Sequence, residues 1–231
     1  MSFISNLIRE MERSTAGSED TSRRVMELCG TVRCENALFV GDESDTPRII
    51  NEKTGVKPFA AFYEQHRADS AAALGFETRV VGAFELPEKE GGWEFVWLNC
   101  GAEPDGVPLR LERLYGSLKK GAVAVYRTLC WLIDPSPDTR CYVECRFGRP
   151  VPLDAVLRFA REQRFKIRDF YIAPKTDWTN GFYRPMSDLV KKYEGAADNE
   201  TAAGIGEINK EMYMFDLHSE EYSYVYYILE K

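Results

Sequence analysis

The amino-acid sequence predicts an α/β protein with a doubly wound, mostly parallel sheet. Two observations indicate this fold: seven short stretches are apolar or rich in aromatic and β-branched residues, and helical patterns separate most of them. Strands that alternate with helices favour parallel pairing, with helices on both faces of the sheet. Because 231 residues suffice for one large domain, we expect residues 1–231 to form a single domain.

The first half of the chain begins with two helical patterns. Apolar residues recur at helical spacing over residues 3–11, and a second helix is predicted to start at Thr21 or Ser22 and to stop at Gly30. A third helix is predicted before Gly55, with Pro47 in its first turn and Asp45 or Thr46 as its N-cap, and a fourth helix over residues 66–75. Strands are predicted over residues 36–40, 57–65, 77–86 and 92–101.

The second half contains the other predicted strands and a long insertion. A crossover helix is predicted from Gly106 to a turn at Lys119, Lys120 and Gly121, and another helix over residues 151–165. Between the last two strands lies a polar and aromatic segment of about 48 residues, 175–222, which could cover the edge of the sheet where α/β proteins bind ligands. The remaining strands are predicted over residues 122–132, 166–174 and 223–231.

Composition excludes several classes of protein. The formal net charge is −7 and the basic residues are scattered, so we expect no nucleic-acid partner. No run approaches the roughly 18 apolar residues of a membrane helix, and charged residues interrupt the N-terminus where a signal peptide needs an apolar core. These features predict a soluble cytoplasmic protein that does not bind membranes.

Six cysteines are spread over the chain, and the sequence predicts reduced, half-buried thiols. Cys141 and Cys145 would lie on one face of a helix, but a zinc site needs two more ligands that the sequence does not visibly supply. We therefore expect no metal.

Several stretches together resemble the class I S-adenosylmethionine-dependent methyltransferases over nearly the whole chain. They are "GSEDTSRRVMEL", "LFVG", "WEFVWLN", "LYGSLKKGAVAVYRTLCWL", "DWTNGFYRPM" and "YSYVYYILEK", in this order. The resemblance implies a Rossmann-like sheet of seven strands whose last strand is antiparallel and lies beside the fifth. It also implies N-terminal helices within residues 1–35, a helical lid over residues 175–222, S-adenosylmethionine as cofactor, and a small soluble methyl acceptor.

The loop after the first strand departs from that family's glycine-rich pattern. Gly41 keeps the first glycine, Phe39 stands where the family has an acid, and Glu43 and Asp45 occupy the other two glycine positions. Each family glycine lets backbone approach the cofactor closely. A carboxylate about 4 Å from the cofactor's own carboxylate would cost roughly 1 kcal/mol in water and about 4 kcal/mol at a surface-like dielectric. The resemblance therefore implies a cofactor site that is weakened or lost.

These acids have two interpretations, of which we favour the second. In one, a rearranged pocket uses them for the ligand; in the other, Asp45 and its neighbours cap the following helix, where anions favour the helix dipole. By position, the resemblance assigns six residues to the cofactor site: Gly41, Asp42, Glu43, Tyr63, Glu64 and Asn99.

The candidate substrate site combines strand ends with the insertion. Aromatic side chains could close over a small molecule, and Arg184 could bind a carboxylate through two hydrogen bonds. We favour the alternative, in which the aromatic residues anchor the insertion to the sheet. Six residues are assigned to this site: Trp97, Cys100, Trp131, Trp178, Tyr183 and Arg184.

Two functions are consistent with the sequence, and catalytic residues are not identified. One is methyl transfer from S-adenosylmethionine to a small soluble acceptor, which requires mainly the in-line positioning of two reactants. The other is a non-catalytic protein that keeps the fold and binds a different ligand or a partner protein. The sequence does not determine the oligomeric state.

Overall fold

The computed structural model of the protein describes residues 3–102, 106–193 and 198–231. Within them, eight strands form one sheet. Their bounds are β1 Ala37–Val40, β2 Phe59–Phe62, β3 Thr78–Val80, β4 Trp93–Asn99, β5 Leu118–Trp131, β6 Val151–Pro152, β7 Lys166–Ile172 and β8 Tyr222–Glu230.

The helices flank this sheet and include a π-helical turn, Thr179–Tyr183, between α8 and α9. The helix bounds are α1 Phe3–Glu10, α2 Glu19–Leu28, α3 Thr46–Thr54, α4 Gln65–Ala73, α5 Gly106–Ser117, α6 Pro137–Phe147, α7 Leu153–Glu162, α8 Lys175–Trp178, α9 Arg184–Val190 and α10 Asn199–His218.

The strand order is β3-β2-β1-β4-β5-β8-β7, and the two-residue β6 pairs with β5 outside this path. Strands β1 to β5 pair in parallel, whereas β8 is antiparallel to both β5 and β7. The predicted doubly wound, mostly parallel sheet is confirmed, with the last strand antiparallel beside the fifth. The helical insertion lies between β7 and β8, as expected.

Both faces of the sheet are buried. Leu38 and Val40 of β1 pack with α5 and α7 on one face, whereas Phe39 packs on the other face with α2, α3, α4 and the insertion. This explains why β1 reads as a continuous apolar run, with all four residues buried. The division of the chain into a single domain with N-terminal helices and a lid stays a prediction, and residues 1–2 and 194–197 of those segments lie outside the described residues.

Several predicted boundaries are wrong. Helix α2 starts at Glu19, because the Ser18 hydroxyl accepts a hydrogen bond from the Thr21 backbone N–H at 3.1 Å. Thr21 and Ser22 are buried within the helix instead of capping it.

The predicted turn at residues 119–121 is also wrong, because β5 already begins at Leu118. Pairing between β4 and β5 is irregular there, and the register shifts between Trp93 and Phe95. Helix α6, with Ser136 as its N-cap and Pro137 in its first turn, was not predicted at all. The insertion contains α9 and α10, and residues 194–197 between them lie outside the described residues.

Three further features concern the class of the protein. None of the helices within the described residues is long and apolar enough to cross a membrane. All six cysteines lie within the described residues and none forms a disulfide, and Cys141 and Cys145 are exposed on α6. No group of three or more His, Cys, Asp or Glu side chains suited to a metal ion occurs in residues 3–102, 106–193 and 198–231.

Candidate ligand site at the carboxyl edge of the sheet

The carboxyl ends of β1 and β4 bring together the loop at Gly41 and Asn99. Asn99 is the last residue of β4 and pairs in register with Arg127, which lies in the middle of the longer β5. In open α/β sheets, ligands bind outside the carboxyl ends of the strands. The candidate site therefore consists of residues 41–45, Asn99, Arg127 and the chain that covers them.

Glu43 is the centre of a buried polar cluster. Its Oε1 accepts hydrogen bonds from Arg127 Nη1 at 3.1 Å and from the Thr15 hydroxyl at 3.2 Å, and its Oε2 accepts one from Asn99 Nδ2. The indole Nε1–H of Trp97 donates to Asn99 Oδ1 at 2.8 Å, which fixes the orientation of the Asn99 amide. The Glu43 and Arg127 side chains are 4% and 2% exposed, so the ion pair lies inside the protein.

Electrostatics keep this carboxylate ionised. Burial opposes ionisation of Glu43, but the guanidinium groups of Arg127 and Arg13 outweigh it and hold the pKa of Glu43 below its usual range. The Arg127 guanidinium also lies 3.6 Å from the ring centroid of Tyr224 and 5.5 Å from that of Tyr226, in cation–π contact. Both charges of the pair are thus compensated within the site.

Little space remains beside Gly41 at this edge of the sheet. A Cβ added to Gly41 would lie 2.8 Å from Glu43 Oε2, 2.9 Å from Asn99 Nδ2 and 3.0 Å from Phe39 Cζ. The glycine therefore accommodates the protein's own side chains, and the space beside its Cα is filled.

Asp45 does not cap the following helix. It occupies the N-cap position of α3 but has helical dihedrals and makes no side-chain cap hydrogen bond. Its carboxylate instead forms a buried ion pair with Arg13, whose Nη2 also donates to the Ser22 hydroxyl at 3.2 Å. The interpretation in which Asp45 serves as a helix cap is wrong, because a buried guanidinium from a distant segment takes up the carboxylate.

Residues 11–18, which we call the N-terminal strap, cover this edge of the sheet. Arg127 donates to Thr15 Oγ1 at 3.1 Å and to the Ala16 carbonyl, and Arg67 of α4 donates to the Glu12 carbonyl at 2.8 Å. At the end of the strap, the Ser18 hydroxyl donates to Asp177 Oδ1 at 2.7 Å, which connects the strap to the insertion.

Asp42 and Tyr63 form the other side of the site. The Tyr63 backbone N–H donates to Asp42 Oδ1 at 3.0 Å, and the Tyr63 hydroxyl donates to the Asn99 carbonyl at 2.8 Å. Because β1 lies between β2 and β4, the Tyr63 side chain reaches across the end of β1. Burial, followed by the charge of Glu43, raises the pKa of Asp42 to about 6, and the Tyr63 N–H only partly offsets this.

Five of the six residues assigned to the cofactor site thus come together: Gly41, Asp42, Glu43, Tyr63 and Asn99. Glu64 does not join them, because its carboxylate lies 3.5 Å from Arg9 Nε at the surface.

The six residues assigned to the substrate site are spread over different environments. Trp97 is buried next to Asn99 and packs edge-on against Tyr226, whereas Cys100 belongs to the opposite face of the sheet. Trp131 packs edge-on against Tyr222 and lines a cavity of about 570 Å³ beyond the end of β5.

The three residues from the insertion differ in their exposure. Trp178 is fully buried between the rings of Phe215 and Tyr224, at centroid distances of 4.8 and 5.4 Å, and Tyr183 packs 6.1 Å from it. Arg184 is exposed and lines a groove of about 480 Å³. The aromatic residues therefore anchor the insertion to the sheet, and two of them, Tyr183 and Phe215, line the same groove as Arg184.

Sequence reasoning missed Arg13, Thr15 and Arg127 as site residues. Arg127 carried a signal, because it is the single charged residue in the apolar stretch 122–132, and a buried charge needs a partner. Arg13 and Thr15 carried none, since they lie in a polar loop whose position depends on the whole fold.

Comparison with protein-family models and with curated protein sequences finds no match. Solved structures do match. The chain is 12% identical to a SAM-dependent methyltransferase of Thiobacillus denitrificans in complex with S-adenosyl-L-homocysteine, covering 99% of this chain and 98% of that one with a TM-score of 0.76. A SAM-dependent methyltransferase of Geobacter sulfurreducens, also in complex with S-adenosyl-L-homocysteine, matches at 12% identity and a TM-score of 0.75, with 99% and 98% coverage.

A third match is phosphoethanolamine N-methyltransferase 2 of Haemonchus contortus in complex with S-adenosyl-L-methionine, at 12% identity and a TM-score of 0.71. The match covers 99% of this chain but only 56% of that protein. The chain therefore has the class I S-adenosylmethionine-dependent methyltransferase fold.

At this edge of the sheet, the protein's own side chains occupy the space beside Gly41. Glu43 and Asn99 lie closest to it. The strap closes the same place from above through Thr15 and Ala16.

Proposed function

We propose that the protein transfers a methyl group from S-adenosylmethionine to a small soluble acceptor in the cytoplasm. The observation that carries this proposal is the full-length likeness to methyltransferase structures that hold S-adenosyl-L-homocysteine. The candidate cofactor end is the carboxyl edge at Gly41, Asn99 and Tyr63. For a nucleoside to bind there, the strap and the Glu43 side chain must move, because they now fill the space.

The acceptor would reach the same edge from the side of β5 and the insertion. Trp131 and the cavity beyond β5 support this assignment, because the cavity of about 570 Å³ is large enough for a small molecule. The groove beside Arg184 is a separate candidate, where a guanidinium could bind a carboxylate.

The alternative function is that of a non-catalytic protein with the same fold. The buried Glu43–Arg127 ion pair places the protein's own charges at the candidate cofactor end. Removing one partner of such a pair strongly destabilises the folded protein, because the other charge stays buried without compensation. A chain that no longer bound the cofactor would keep this cluster as part of its core and would bind a different ligand or a partner elsewhere.

Calorimetric titration of the intact protein with S-adenosylhomocysteine separates the two functions. Methyl transfer predicts saturable binding, with adenosine and homocysteine alone as weaker control ligands because each provides only part of the contacts. No heat and no shift in melting temperature at millimolar ligand would contradict the methyltransferase proposal. Where binding is found, transfer of the methyl group to candidate acceptors is followed by mass spectrometry.

A further inference from the structure

The N-terminal strap is held over the carboxyl edge of the sheet along its whole length. Its anchors come from four separate parts of the chain. Arg67 of α4 binds the Glu12 carbonyl, Asp45 binds Arg13, and Arg127 of β5 binds Thr15 and Ala16. Asp177 of the insertion accepts from the Ser18 hydroxyl, and its carbonyl accepts from the Gly17 N–H at 3.3 Å.

These contacts bury charge that an exposed loop would leave in water. Arg13 and Asp45 are each 6% exposed and Arg127 is 2% exposed, although all three side chains carry a charge. Moving the strap away would separate Arg13 from Asp45, expose the Glu43–Arg127 pair to water and leave Arg127 without its bonds to Thr15 and Ala16. The closed arrangement is therefore a defined state with its own stabilising contacts.

The strap and the cofactor of this fold require the same place. Thr15 and Arg127 hold the side chain of Glu43 beside Gly41. A Cβ added to Gly41 would lie only 2.8 Å from Glu43 Oε2. A nucleoside packed against Gly41 would have to displace Glu43, and the Thr15 hydroxyl bond would be lost with it.

We propose that the N-terminal strap is an internal occupant of the ligand site, so that strap docking and nucleoside binding at Gly41 exclude one another. This inference rests on the proposed function, because it names the regulation of that same site. The apparent affinity for the nucleoside is then proportional to the fraction of molecules in the open state, and any change that favours the open state raises it.

Thr15→Val tests the exclusion because it removes the hydroxyl that bonds Glu43 and Arg127 while keeping the shape of the side chain. We expect this variant to bind S-adenosylhomocysteine at least about tenfold more tightly than the wild type. Thr78→Val on the edge strand β3 is the matched control, since it makes the same chemical change outside the strap, and we expect its affinity to equal that of the wild type.

Hydrogen exchange supplies a second readout whose sign is specific to exclusion. Ligand binding ordinarily slows amide exchange near a site, but here S-adenosylhomocysteine should accelerate exchange in residues 11–18, including the Gly17 N–H that bonds the Asp177 carbonyl. Faster exchange in the strap, together with tighter binding by Thr15→Val, would support the proposal.

The remaining outcomes overturn it in distinguishable ways. Equal affinity of wild type and Thr15→Val, with strap exchange unchanged or slowed by ligand, would refute exclusion and leave the methyltransferase proposal standing. Failure of both proteins to bind, with exchange showing an open strap in the variant, would refute both proposals, because an open edge would then offer no nucleoside site. If exchange shows the strap still closed in Thr15→Val, unchanged or slowed strap exchange in the wild type at millimolar S-adenosylhomocysteine would refute exclusion, and accelerated exchange would support it.

Discussion

Arg127 shows how a single residue can determine the chemistry of a whole edge. Its guanidinium lies inside a strand that is otherwise apolar, stacks on Tyr224 and bonds Glu43. A buried cation of this kind is tolerated only when an anion and several acceptors surround it. The two acids that replace glycines, Glu43 and Asp45, therefore form ion pairs with arginines from distant parts of the chain, Arg127 and Arg13.

Removing that cation should destabilise the protein strongly. Arg127→Met leaves Glu43 buried without its main partner, and we expect the free energy of unfolding to fall by about 3–5 kcal/mol in urea denaturation. The double variant Glu43→Gln with Arg127→Met should lose less, since neither charge then remains. Arg158→Met serves as control, because its partner Glu162 lies 4.0 Å away at the surface, and it should change stability by less than about 0.5 kcal/mol. A loss that small at Arg127 as well would mean that the pair is solvated.

Asp42 gives the site a pH dependence. Its pKa is about 6 in the folded protein against an ordinary value of 3.8, so the folded chain holds this proton more tightly than the unfolded chain does. Stability contributed by Asp42 therefore falls as the pH rises from about 4 to about 6, and it stays lowered above 6.

Asp42→Asn should remove this penalty, because the amide carries no charge and its oxygen can still accept the Tyr63 N–H. We expect the variant to be more stable than the wild type by on the order of 1 kcal/mol above pH 6, after allowance for solvent screening, with the difference vanishing toward pH 4. Urea denaturation of both proteins from pH 4 to pH 8 measures this. A difference that does not change with pH would contradict the raised pKa.

At the scale of elements, the strap and the insertion depend on a contact between two backbones. A Cβ on Gly181, in the π-helical turn, would lie 2.1 Å from the Gly17 carbonyl oxygen. Only glycine at position 181 permits this approach. The turn that presents Gly181 therefore couples the position of the strap to that of the insertion.

Gly181→Ala should push the strap away from the insertion. We expect a loss of about 1–3 kcal/mol in stability and faster proteolysis within residues 11–18, because the added methyl group has no space. Gly206→Ala in α10 is the matched control. Nothing lies within 4 Å of its Cβ, and alanine in a helix interior should stabilise by roughly 0.5–1 kcal/mol. Unchanged proteolysis of the strap in Gly181→Ala would contradict the coupling.

The elements differ in how far local sequence could predict them. The apolar run at β1 and the alternation of strands with helices predicted the fold class. A strand buried on both faces is apolar at every position, and this pattern is visible in the local sequence. The antiparallel position of the last strand beside β5 came from family resemblance, since strand order is a long-range property. The cluster at Glu43 could not be predicted, because Arg13, Glu43 and Arg127 are brought together only by the completed sheet.

At the scale of the whole molecule, the sheet divides the interior into two cores that should protect some thiols and leave others free. Cys29 lies in one core and Cys130 in the other, and burial raises the pKa of each thiol to about 12. Cys141 and Cys145 are exposed on α6. Since the thiolate is the reactive form, both its formation and its access to solvent are suppressed within the cores.

Thiol labelling at pH 8 should therefore begin with a fast phase of about two thiols in the native protein, and labelling in urea should reach all six. The double variant Cys141→Ser with Cys145→Ser should lose the fast phase and keep the slow one, because it leaves both cores intact. Fast labelling of Cys29 or Cys130 in this variant, as distinct from the half-buried Cys34, would mean that a core opens on the timescale of labelling. Ligand that opened only the strap would leave Cys29 and Cys130 slow, so the same assay separates local opening at the edge from loosening of the whole fold.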